Sequence, residues 1–191
     1  MTKKIFISYA QDDLLHRQNL EKQLKSWIRS HKISIWHRDM LEPNEETVVK
    51  IAEELANADL FLVLLSADYL ADDGLYEQEL SPILQATEKI LVPILVRPCV
   101  WQDALPQDAI VLPKPDKAVS QYDEDEDVAW LQVINALREV VEHGATHISL
   151  PPEPENEGIT VTKTFHIPKD HKGDFTMSQT ISNTPPPQLE E

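Results

Sequence analysis

Leu60-Phe61-Leu62-Val63-Leu64-Leu65 is apolar at every position. A strand with one wet face alternates apolar and polar residues. One without alternation is buried on both faces, as a central strand of a parallel sheet must be. Ala58 to Leu65 is therefore read as the third strand and the centre of an α/β domain. Before it, Glu45 to Asn57 is acidic at its start and carries Val48, Val49, Ile51, Ala52 and Leu55 at helical spacing, so it is read as a helix with those residues inward. After it, Ser66 to Gly74 reads as a loop with a short turn. Leu75 to Thr87 reads as a helix that Pro82 must interrupt or divide.

The same alternation of strand and helix extends to both ends. Ile5-Phe6-Ile7-Ser8-Tyr9 is a buried first strand. Asp12 and Asp13 supply a helix cap and a first-turn acid. Leu14, Leu15, Leu20, Leu24, Trp27 and Ile28 mark an amphipathic helix from Asp12 to about His31. Ile33-Ser34-Ile35-Trp36 is the second strand, and His37 to Asn44 is a polar loop. Ile90 to Val96 is the fourth strand, and Pro93 places it at an edge or a bulge. Arg97 to Asp127 is mostly loop, with Pro98, Pro106, Pro113 and Pro115. Val128 to His143 is a last helix with Val128, Leu131, Ile134, Leu137, Val140 and Val141 inward. Strand and helix in alternation give a parallel sheet with helices on both faces, and the flavodoxin-like order is the expected one. The functional crevice of such a sheet lies at the carboxyl ends of the strands, where the loops after Tyr9, Trp36 and Leu65 converge.

Composition narrows the function. The chain has 191 residues, a formal net charge of −16, 4 glycines and one cysteine. Cys99 can form no intrachain disulfide, which fits a reducing compartment. Its apolar runs are too short for a bilayer, and the start lacks a signal-peptide pattern, so the expectation is a cytoplasmic protein with no membrane partner. So acidic a surface repels phosphate backbones and makes nucleic acid an unsuitable partner. No P-loop or dinucleotide glycine motif is present, and no metal-ligand cluster is seen.

The ordered motifs resemble the TIR (Toll/interleukin-1 receptor) domain family. Ile5-Phe6-Ile7-Ser8-Tyr9 is similar to the family's first strand, and Trp36-His37-Arg38-Asp39 to its BB loop. Leu64-Leu65-Ser66-Ala67-Asp68-Tyr69-Leu70 and Tyr76-Glu77-Gln78-Glu79-Leu80 resemble the strand-serine segment and the helix that carries the family's glutamate. Val92 to Trp101 and Leu112-Pro113-Lys114 are similar to a bacterial branch. The resemblance covers roughly 3–141, and the domain is drawn as 1–145. It implies one of two functions. Some members are adaptors that associate with other TIR domains. Others, common in bacteria and often serving in defence against phage, cleave NAD⁺ to nicotinamide and linear or cyclic ADP-ribose.

The cleavage chemistry asks little of the protein. Nicotinamide leaves as a neutral molecule, so no general acid is needed. Positive charge develops on the ribose, as in glycoside hydrolysis, where one carboxylate can stabilise it. On the resemblance, Glu79 is the catalytic candidate. Tyr9, Ala10, Arg38, Glu46, Ser66 and Leu75 are the candidates for the NAD⁺ pocket, with NAD⁺ as substrate and no cofactor or metal. The sequence also departs from the family. Ala10, Gln11, Asp12 and Asp13 stand where basic residues commonly follow the tyrosine, and Arg38 is the candidate replacement for a diphosphate contact. Arg38-Asp39 reverses the common bacterial order. Thr47 and Leu75 stand where active members often have aromatic residues.

Two readings follow. One is an NAD⁺ glycohydrolase switched on by homotypic TIR–TIR assembly, by an upstream sensor or by the tail. The other is a non-catalytic TIR interaction module, which the missing aromatics favour. A phosphate-receiver reading, suggested by Asp12 and Asp13, fails for want of an aspartate at Leu65-Ser66. The tail, 146–191, holds seven of the fourteen prolines from Pro151 onward and two alternating stretches, around Ile159 to Ile167 and Phe175 to Ile181. It is read as a hairpin, a linker or an assembly segment.

Overall fold

The computed structural model describes residues 2–43, 46–86, 88–122 and 125–143. All of them belong to the unit Met1–Pro151. The expected tail hairpin or assembly segment lies outside the described residues. So does the proposed end of the domain at residue 145.

Four strands form one parallel sheet in the order β2-β1-β3-β4. They are β1 (Lys3–Ser8), β2 (Ile33–Trp36), β3 (Leu60–Leu65) and β4 (Ile90–Leu95). This is the expected doubly wound, flavodoxin-like arrangement, with the chain reversing direction of travel between β1 and β3. Every residue of β3 is buried. The alternation of side chains sorts them between two cores. Ile5, Ile7, Leu60, Leu62, Leu64, Val92 and Ile94 pack with α1 (Leu14–Arg29) and α6 (Glu126–His143), where Leu20, Leu24, Trp130 and Leu137 are sealed. Phe6, Phe61, Val63, Leu65 and Leu95 face the other way. They pack with α2 (Thr47–Asn57) and with a broken helix that supplies Leu75, Leu80 and Ile83.

Pro93 is accommodated as an edge residue. Leu95 donates outward from the sheet to the Leu112 carbonyl at 2.7 Å, and Leu112 donates back to the Pro93 carbonyl at 2.9 Å. Two residues earlier on the same strand, the missing N–H of Pro93 faces that same outer side. The ladder to β3 loses nothing. Leu112 thus stands where a fifth strand would begin, reduced to one bridge with Ile94.

Several expectations need correction. Ser66 to Gly74 is not a loop: it contains α3 (Ala67–Ala71) and the start of α4 (Asp73–Leu75). Val48 and Val49 are 60% and 51% exposed, and Ala52 is exposed as well. Only Ile51 and Leu55 of α2 reach the core, because its contact stripe is narrow. Leu15, Val128 and Leu131 also face outward. Asp13 stands at the cap position of α1 but makes no capping hydrogen bond. At the other end of α1, His31 adopts a left-handed φ of 55°, and Lys32 donates to the Trp27 carbonyl at 2.9 Å, turning the chain into β2.

The two leucines of α1 make this testable. Leu24 is 0% exposed and Leu15 is 64% exposed. Leu24→Ala is expected to lower unfolding free energy by about 2–5 kcal/mol and Leu15→Ala by less than about 0.5 kcal/mol, as read from urea denaturation.

Candidate functional site

The helix after α3 is built to turn a carboxylate inward. The Asp72 side chain accepts from the Leu75 N–H at 3.0 Å and starts α4. Tyr76–Leu80 then forms a π-helical turn, with the Ser81 N–H reaching back to the Tyr76 carbonyl. Pro82 lies at the start of α5 (Ser81–Gln85) and has no N–H to give to the preceding turn. The wider turn absorbs that loss, as π-turns often do at functional positions. Pro82 therefore divides the helix, and Glu79 and its neighbour Leu80 are both 1% exposed.

Glu79 meets β1 and the loop after β2. The Ser8 hydroxyl donates to Glu79 Oε2 at 2.5 Å. Ser8 also lies 2.8 Å from the Tyr69 hydroxyl. A serine has one proton to give, so with Ser8 donating to the carboxylate, Tyr69 donates to Ser8. The result is a one-way chain from Tyr69 through Ser8 to Glu79, all buried. Arg38 approaches from the opposite side. Its Nε and Nη2 lie 2.8 Å and 2.7 Å from Glu79 Oε1, and Nη2 is 3.4 Å from Gln78 Oε1. Burial pushes the Glu79 carboxyl up from its ordinary range. The Ser8 hydrogen bond and the Arg38 charge pull against that rise. Burial likewise raises Tyr69, which holds its proton.

The other sequence-selected residues are placed as follows. Tyr9 is buried and its hydroxyl donates to Asp39 at 2.5 Å, while the Arg17 guanidinium lies 5.3 Å from its ring centre. Ala10 and Leu75 are buried in the same apolar cluster as Phe6. Ser66 is 0% exposed, donates to Asp13 Oδ2 at 2.5 Å and caps α3 by accepting from the Tyr69 N–H at 3.1 Å. Glu46 is exposed, just before α2, and contributes its backbone carbonyl to Lys50 at 2.9 Å. The structure therefore joins Glu79 and Arg38 directly, while the Tyr9 hydroxyl and Ser66 are committed to other partners.

Sequence reading missed Ser8, Tyr69, Asp13 and Arg97. Asp13 is fully buried, and Arg97 Nε lies 2.7 Å from its Oδ1. Arg97 also reaches Asp68. Only Ser8 left a signal: a serine inside a central strand, on an inward face, needs a buried partner. A small hollow of about 90 Å³ lies elsewhere, lined by Lys4, Phe6, Ser34, Trp36, Glu54 and Ala58 among others. Glu79 does not line it.

Comparison with known proteins gives the family. The chain matches the family model of the TIR domain over residues 5–134. It is 32% identical over 151 residues to an uncharacterized protein of Sinorhizobium fredii, covering 78% of this chain and 46% of that protein. The chain thus spans about half the length of this curated relative. It is also similar to the crystal structure of the TIR domain of a Toll-related receptor from Hydra magnipapillata. That match has 15% identity and a TM-score of 0.47, over 70% of this chain and 97% of that one.

The Ser8 bond can be read by titration. Ser8→Ala removes a donor that holds the Glu79 carboxyl down, so its midpoint should move to higher pH in ¹³C NMR of the side-chain carboxyl. The folded value already lies above the unfolded one. Stability therefore falls as pH rises through that window, and in the variant the fall extends to higher pH. An unmoved midpoint would mean that the Ser8 hydroxyl does not bear on Glu79.

Proposed function

The chain belongs to the TIR domain family, and from that premise we propose that it is an NAD⁺ glycohydrolase with Glu79 as its catalytic carboxylate. The observation that carries this reading is the setting of Glu79. It is a 1% exposed glutamate at the carboxyl ends of β1 and β2, held from two sides by Ser8 and Arg38. A carboxylate kept in so dry a place raises the energy of its own ionised form, and such groups concentrate at functional sites.

The reaction is NAD⁺ plus water giving nicotinamide, ADP-ribose and a proton, or a cyclised product when a group of the substrate itself takes the place of water. The bond from ribose to the pyridinium nitrogen breaks, and its electron pair leaves with nicotinamide. Glu79 stabilises the positive charge on the ribose and orients its hydroxyls. The Ser8 donor fixes Oε2, which leaves Oε1 as the working oxygen. The Tyr69–Ser8 chain resists protonation of the glutamate, since it spends its donors on the ionised form. NAD⁺ is the substrate, and the proposal needs no metal.

Self-association is proposed as the trigger, in a setting of defence against phage. The exposed Met40, Val48 and Val49 support it, being 49%, 60% and 51% exposed on and beside the loop after β2. Exposed apolar side chains on an otherwise acidic protein suit contact with another domain. The same exposed residues favour the second reading, an interaction module in which the Glu79 ion pair only fastens the loop.

Nicotinamide release from concentrated or assembled protein separates the two. Glu79→Gln and Glu79→Ala should each lower turnover by about 10²–10³-fold or more while the thermal transition persists. No release from folded, assembled wild type sinks the hydrolase reading and leaves the module.

A further inference from the structure

The loop after β2 divides its side chains between two sides. His37 is buried, with Nε2 3.2 Å from Glu21 Oε1. Asp39 Oδ2 accepts from Tyr9 at 2.5 Å and lies 3.2 Å from Arg17 Nη2. These two residues pin the backbone of the turn Arg38–Met40 toward α1. Arg38, between them, crosses to the other side and covers Glu79. Its side chain is 35% exposed, whereas that of Glu79 beneath it is 1% exposed. Oε2 is taken from the strand side by Ser8. The guanidinium therefore stands between Oε1 and water.

A ligand that reaches Oε1 must displace Arg38. A neutral ligand that does so leaves a guanidinium without its partner and a buried carboxylate without its cation, an arrangement that strongly opposes binding. A diphosphate removes half of that difficulty. Its paired anionic oxygens match the planar donors of arginine, so Arg38 can exchange one anion for another at little loss. The formal charge of −16 sharpens the choice, because an anion needs a local cation to approach this surface. Among the groups that bear on the Glu79 titration, Arg38 is the cation.

We propose that Arg38 is an exchangeable lid: it closes over Glu79 in the free chain and transfers to the diphosphate of a dinucleotide ligand, uncovering the working oxygen. This rests on the reading of Glu79 as the site of NAD⁺ cleavage, and it adds that the ligand opens the site by its phosphates. The lid explains why Glu79 is 1% exposed in the unliganded chain while the Arg38 above it is not. It also separates binding from chemistry: the diphosphate moves the arginine, and the ribose then meets the carboxylate.

The test uses the full chain and ADP-ribose, which carries the diphosphate but has no bond to cleave, with adenosine as the comparison. In Glu79→Gln the arginine is released, so calorimetry should show ADP-ribose binding roughly tenfold tighter than to wild type. Arg38→Gln should bind it roughly tenfold more weakly. The Arg38 Nε–H resonance, identified by its loss in Arg38→Lys, should shift when ADP-ribose is added and stay in place with adenosine. Where Arg38→Gln fails to fold, Glu79→Gln and the resonance carry the test. Equal or weaker binding to Glu79→Gln overturns the lid, as does an unmoved resonance at saturation. ADP-ribose that binds neither dispersed nor assembled protein overturns it too. Nicotinamide release with a motionless Arg38 would remove the lid alone. A mobile Arg38 without nicotinamide release would remove the hydrolase alone.

Discussion

Two carboxylates buried at one end of a parallel sheet govern this structure. Each is solved the same way, with one serine hydroxyl and one guanidinium. Glu79 receives Ser8 and Arg38; Asp13 receives Ser66 and Arg97. The serines come from the ends of the two central strands, β1 and β3. The arginines stand two residues beyond the edge strands, β2 and β4. A residue at or just beyond the end of each strand thus meets a carboxylate. The carboxylates themselves come from helical segments, one just before α1 and one in the π-turn. Strand alternation puts Ser8 on the face of Phe6 and Ser66 on the face of Leu64, so the two pairs serve opposite faces.

Such pairs are strong constraints rather than large sources of stability. Desolvating two charges offsets much of their attraction, while removing one partner strands the other in a dry place. The loops after all four strands are therefore tied together. An end built this way has its polar groups oriented before any ligand arrives, which is the condition for electrostatic catalysis. The two pairs differ in one respect that bears on function. Arg97 holds a second carboxylate, Asp68, in addition to Asp13, so it is tethered from two directions. Arg38 spends both its close contacts on one oxygen of Glu79, and its further contact is a longer one to the neutral Gln78 side chain. Of the two guanidiniums, Arg38 has less to leave behind.

Much of the fold was legible because the apolar runs of the strands have one physical meaning. Six unbroken apolar residues at Leu60–Leu65 require cover on both sides, and the order of elements follows from that. Helix phase was less legible. Spacing identified α1, α2 and α6, but it does not say how wide a stripe the sheet will cover, and Leu15, Val48, Val49, Val128 and Leu131 fell outside it. The short helices after Ser66 have too few turns for periodicity to reveal. Glu79 and Arg38 were chosen through the family motifs, and the structure sets them in contact. Asp13 was misread because a carboxylate ahead of a helix looks like a cap. Its true partners, Ser66 and Arg97, are 53 and 84 residues away, and local sequence does not hold that information.

The order Arg38-Asp39 shows how such distant contacts fix a local choice. The turn sends residue 38 toward Glu79 and residue 39 toward Tyr9 and Arg17. The first place already contains a carboxylate and the second a guanidinium, so each demands the opposite charge. Exchanging the two residues on this backbone would set carboxylate against buried carboxylate and guanidinium against guanidinium. The departure from the more common bacterial order is therefore consistent with the rest of this chain. It requires Arg17 on α1 and Tyr9 at the end of β1 to receive the aspartate, and both are present.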